Sequence, residues 1–198
     1  MIADLLGVVG ANVAWFTAIG VVLIALVLAG VAVRYRAPRL GLASLVPVGL
    51  GALAAIVDLD VPAPDPSYWA ALAISLAALG ILAGNPITVF VLGLAKSPDP
   101  GGEDSEHGGI VVPTEKGARG RHEVLRGGWI IGYLERLAII AAVALGRFEI
   151  VAAVIAIKGL GRFTELDNSA ARERFIIGTL TSMIWAGACG LLIVLSRT

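Results

Sequence analysis

Three charges stand where the surrounding sequence is apolar. Glu135, Arg136 and Lys158 lie in the stretch Trp129–Leu160, which reads as two apolar helices folded back on each other at Gly146-Arg147. A carboxylate, a guanidinium and an ammonium group in such a setting can hold an anion, relay a proton or coordinate a coupled ion; they can also neutralise one another and fix helix register. Glu135 lies as far before the turn as Lys158 lies after it, so antiparallel helices bring both groups to one depth, roughly 17 Å from the turn and more than halfway across a ~30 Å hydrocarbon core. An unpaired carboxylate there costs on the order of 3 kcal/mol or stays protonated. Lys158 can snorkel towards water, but the shorter Glu135 cannot reach far. A Glu135–Lys158 pair is therefore expected. Arg136 points about 100° away from Glu135 and needs a different partner: a lipid phosphate, a backbone carbonyl, or a carboxylate such as Glu165 or Glu173.

The elements that position these groups follow from composition. The chain has 198 residues, of which 58% are hydrophobic and 15% charged, with a mean hydropathy of +0.89. A soluble domain carries about 25% charged residues. Long apolar runs without strand alternation or a polar helical face predict spanning helices. The expected fold is all-α, a polytopic bundle of about six transmembrane helices in a single domain. The spans fall near residues 12–33, 40–57, 68–84, 129–145, 148–160 and 175–195, with a kink expected at Pro47. Met1–Leu6 carries Asp4 and no basic residue, so it lacks the positive start of a signal peptide and the first apolar segment should be retained.

Between the spans the sequence changes character. Arg34, Arg36 and Arg39 follow the first span; Asp58 and Asp60 follow the second, in a proline-rich loop closed by the interfacial pair Tyr68-Trp69. At Gly84-Asn85-Pro86, asparagine suits an N-cap and proline the first helical turn, so a short helix over Ile87–Ala95 is expected to start there, lying in the interface or continuing the third span. Residues 97–126 are polar and charged and read as a flexible cytoplasmic loop holding His107 and His122, which lack metal-ligand spacing. Arg162–Arg174 is a charged connector in which Asn168 or Ser169 could cap the sixth span. With six spans the basic segments fall on one side and Asp58 and Asp60 on the other, which places both termini outside the cytoplasm by the positive-inside rule.

Two further patterns bear on partners. Gly178, Ser182, Ala186 and Gly190 repeat every four residues on one face of the last span, a helix-packing signal that serves either the chain's own bundle, the commoner use, or a dimer seam. Gly128 and Gly132 lead to Arg136 on the fourth span and leave room for a neighbouring helix or a lipid headgroup. The cluster Lys158, Arg162, Arg172 and Arg174 could bind anionic lipid or simply set topology. Asn85 could face a ligand from a broken helix, as in transporters, or act as a plain cap.

Several chemistries are disfavoured. No span holds a histidine for haem, no Gly-x-Ser-x-Gly motif supports a serine hydrolase, and no Cys-x-x-Cys motif is present. Paired intramembrane aspartates and clustered acidic residues for Mg²⁺ are missing as well. The single Cys189 excludes an internal disulfide. Net charge is zero, so nothing points to nucleic acid. No cofactor is implied, and an enzyme is disfavoured.

The stretch from Gly128 to Ser182 resembles a family of small, uncharacterised bacterial multi-pass membrane proteins. The resemblance rests on Gly128-Trp-Ile-Ile-Gly132-Tyr-Leu-Glu135-Arg136, on Lys158-Gly-Leu-Gly-Arg162-Phe163 with Glu165, and on Phe175-Ile-Ile-Gly178-Thr179-Leu180 with Ser182; Gly84-Asn85-Pro86 is a weaker element. It implies a cell (inner) membrane location and a shared site, without naming its chemistry. Arg174-Phe175 departs from the Glu-Tyr of that pattern, so any acidic role there passes to Glu173. Two functions then compete, and the residue pattern puts the first ahead of the second. One is a transport-type or binding protein whose Glu135, Arg136, Lys158 and Arg162, with Asn85, receive an anionic ligand, a lipid headgroup or a coupled ion. The other is a non-catalytic scaffold or accessory subunit, with membrane lipids, a second copy or another membrane protein as partner.

Overall fold

The chain's apolar runs become six helices in a computed structural model that describes residues 2–59, 61–95, 128–160 and 169–197. They are α1 (Ile2–Arg34), α2 (Pro38–Ile56), α3 (Pro66–Leu94), α4 (Gly128–Ala144), α5 (Phe148–Leu160) and α6 (Ser169–Leu195). No strand occurs among the described residues. Four helical stretches are long and apolar enough to cross a membrane: Gly7–Arg34, Pro38–Ile56, Pro66–Leu94 and Ala171–Leu195. The arms of the α4–α5 hairpin have 17 and 13 residues and fall outside that group, so the structure shows four such helices where the sequence suggests about six. Large apolar side chains such as Ile74 (71% exposed) and Ile184 (70%) face outward, the pattern of a surface bathed in hydrocarbon.

Three of the connections use one device. Ala37 N–H reaches back to Ala32 O, Leu59 N–H to Ala54 O and Arg147 N–H to Ala142 O, each spanning five residues. The residue before each donor has positive φ: Arg36 (53°), Asp58 (54°) and Gly146 (66°). This is the Schellman ending, which satisfies the last helical carbonyls with one left-handed residue. Glycine adopts that conformation freely, whereas Arg36 and Asp58 carry a Cβ there. α3 begins differently. The Asp65 side chain accepts from Ser67 N–H at 2.8 Å, with proline in the first turn; bonding to Ser67 holds this carboxyl below its usual range.

Helix direction alternates along the chain. Trp15 Nε1 donates to Val61 O at 3.0 Å, Tyr68 O–H to Asn12 Oδ1 at 2.7 Å and Trp69 Nε1 to Ile193 O at 3.4 Å, while Arg197 lies 5.3 Å over the Trp69 ring. These contacts gather the first half of α1, the start of α3 and the end of α6 at one end of the bundle, here the aromatic end. The opposite, basic end carries Arg34, Arg36 and Arg39. α3 and α6 form the centre, with Leu76, Leu79, Ala83, Trp185, Ala186 and Cys189 buried against Ile139 and Ile140 of α4. Trp185 Nε1 donates to Gly80 O at 3.1 Å across this core. α5 packs on α4 alone among the described residues.

Pro86 acts differently from expectation, and Pro47 marks an irregular turn. α3 runs without interruption from Pro66 to Leu94, so no helix starts at Asn85. Pro86 is buried inside it, and a Cβ on Gly41 would come within 2.7 Å of the Pro86 ring. The proline is accommodated because α2 presents a glycine to it. In α2 the irregularity is a 3-10 turn at Leu42–Ser44. It lies where Pro47 supplies no N–H for the Ala43 carbonyl. The last helix begins at Ser169, so residues 169–174 of the expected connector are helical.

Candidate functional site: a buried arginine and an interhelical ion pair

Glu135 and Arg136 are neighbours on α4 that face different helices. The 100° step of the helix turns Glu135 towards α5 and Arg136 towards α3 and α6. Lys158 Nζ donates to Glu135 Oε2, closing the pair that equal spacing about the turn calls for. The two side chains are 14% (Glu135) and 19% (Lys158) exposed, so the pair lies in the α4–α5 seam with one edge open. It joins the hairpin arms at the end remote from Gly146.

Arg136 is more deeply placed, only 5% exposed. Its Nε donates to Ile81 O at 2.8 Å and its Nη1 to Ser182 Oγ at 3.1 Å. The guanidinium also lies 5.0 Å over the Tyr133 ring, one turn back on its own helix. Helical side chains lean towards the N terminus, and Gly132 leaves the path clear: a Cβ there would stand 3.4 Å from Nη1. On the facing helix Gly84 provides the notch, since a Cβ at that position would run into Arg136 Cδ and stand 2.7 Å from Nε. Gly80, one turn away, admits Ile140 in the same manner, with its Cβ position 2.7 Å from Ile140 Cδ1. Two glycines on α3 thus receive two side chains four apart on α4.

Pro86 lies in the next turn of α3; it cannot donate to the Leu82 carbonyl, and its ring crowds that turn. The carbonyl that accepts from Arg136 is that of Ile81, one residue before Leu82. Of the partners expected for Arg136, a backbone carbonyl is the one found. Ser182 is the second, a residue whose sequence pattern points only to packing.

The last helix divides its small residues between two neighbours. Gly178 faces Thr88 and Leu92 of α3 at 3.5 Å from its notional Cβ, and Gly190 faces Val143 of α4 at 2.9 Å. Ser182 meets Arg136, and Ala186 is fully buried. Thr88 Oγ1, beside Gly178, is buried without a partner among the described residues. Asn85 is exposed on α3, beside the Gly84 notch. Arg172, Glu173, Ile176 and Ile177 line an open depression of about 370 Å³ near the start of α6. Arg162, Glu165, His107 and His122 lie outside the described residues. Among the described residues no group of His, Cys, Asp and Glu could hold a metal ion.

Three independent counts place these groups at one level. Trp69 to Ile81 on α3, Ile193 to Ser182 on α6 and Arg147 to Lys158 on α5 each span about 17 Å at 1.5 Å per residue. The charges therefore share a layer midway along the bundle.

No protein-family model, curated protein or solved structure matches the chain.

Proposed function

We propose that this protein is a non-catalytic scaffold or accessory subunit of a membrane complex, whose intramembrane charges hold helices together. The observation that carries this reading is the placement of Arg136. Its donors engage a backbone carbonyl on α3 and a hydroxyl on α6, in a notch that glycine leaves open. An anion-receiving arginine would instead turn its fork towards a cavity. The depression lined by Arg172 and Glu173 and the groove between α1 and α2 both lie elsewhere.

In this reading the chain sits in a cell membrane with its basic end in the cytoplasm and both termini outside it. The α4–α5 hairpin supplies the fourth and fifth of six crossings, and the outward face of α5 is where a partner helix or second copy packs. The competing reading, a transport-type or anion-binding site, draws on one feature: the Glu135–Lys158 pair keeps an edge open, where a coupled ion could enter. Native mass spectrometry in mild detergent separates the two. The scaffold reading predicts no small-molecule or ion adduct whose retention depends on Glu135 or Arg136. An adduct that disappears in Glu135→Gln while the protein stays folded would contradict it.

A further inference from the structure

The first helical hairpin has a surface groove that the charged layer does not use. Val21, Ile24 and Leu28 of α1 and Ala43, Val46 and Pro47 of α2 line it, enclosing about 200 Å³ with apolar side chains. It exists because α2 packs on α1 through its first turns and then, past the 3-10 turn at Leu42–Ser44, diverges from it.

Helical register continues both walls to the basic end. On α2, Arg39 precedes Ala43 by four residues and Val46 by seven, so it stands on the same face one turn above the groove. On α1, the row through Val21 and Leu28 leads to Tyr35, which is 72% exposed and has the Arg34 guanidinium 5.7 Å from its ring. Arg34 and Arg39 are both exposed. From Arg34 to Leu45 the sequence contains three arginines and no acidic residue. An apolar channel headed by two cations and a phenol hydroxyl matches an amphiphile with a hydrocarbon tail and an anionic head.

We propose that this groove seats one anionic phospholipid, its acyl chain against Leu28, Ala43 and Val46 and its phosphate between Arg34 and Arg39. The site is separate from the charged layer, so its test does not depend on Glu135 or Arg136. The full-length protein is reconstituted in nanodiscs of equal phosphatidylglycerol and phosphatidylcholine, and the lipids retained on ejection are identified by native mass spectrometry. The wild type is expected to retain phosphatidylglycerol preferentially. Arg34→Gln and Arg39→Gln are each expected to reduce that preference about fivefold, as removal of one surface cation implies, while the Lys variants keep most of it. Ala43→Leu, which fills the groove and leaves both cations, is expected to lower retention of the lipid itself. An unchanged preference in the double Gln variant overturns the headgroup seat, and unchanged retention in Ala43→Leu overturns the acyl seat.

Discussion

Arg136 shows how one long side chain can complete three helices. It bonds Ile81 O on α3 and Ser182 Oγ on α6 while stacking on Tyr133 of α4. Lysine cannot reproduce this, because it lacks the planar fork that divides donors between two directions. Arg136→Lys is therefore expected to lower thermal stability in detergent. Gly84→Ala should do so through a different route, by displacing Arg136 Cδ and Nε from the notch, at about 1–3 kcal/mol. The two changes share one contact, so their effects should fall short of additive when combined. Fully additive losses in unfolding experiments would show that Gly84 and Arg136 act independently. The sequence reveals that Arg136 needs a partner but not which one. That choice depends on the register between α3 and α4, which no local pattern encodes.

Among the helices, turns and termini were partly legible. Gly146-Arg147 marks the hairpin correctly because glycine is the residue suited to the left-handed end of a helix, and the structure gives it φ of +66°. Arg36 and Asp58 occupy the same conformation without that signal. Arg36→Gly is expected to stabilise the α1–α2 turn by about 1 kcal/mol, and Gly146→Ala to destabilise the α4–α5 turn by a similar amount. Unfolding temperatures that move in the same direction for both variants would contradict this reading of the turns. Gly84-Asn85-Pro86 misled for a physical reason. Asparagine and proline have strong local preferences for a helix start, yet the Gly41 seat for Pro86 and the core around Ala83 and Ile87 keep α3 continuous. Tertiary packing overrode propensity there.

Across the bundle as a whole, attachment is uneven. α3 and α6 each pack on several helices, whereas α5 touches α4 alone among the described residues. Among the described residues its links are the Gly146 turn at one end, apolar contacts with α4, and the Glu135–Lys158 pair at the other. The pair was readable in the sequence because it follows from counting along a hairpin. The number of membrane crossings was not readable in that way, because the 17 and 13 residues of the hairpin arms are shorter than the four long helices. If these charges serve architecture, a double-mutant cycle on Glu135→Gln and Lys158→Met, read by thermal unfolding in detergent, must show it. Each single change is expected to cost about 3 kcal/mol by leaving its partner unpaired in a poorly solvated seam. The double variant should recover most of that loss. Single variants as stable as the wild type, or a double variant no more stable than the weaker single, would refute the architectural role.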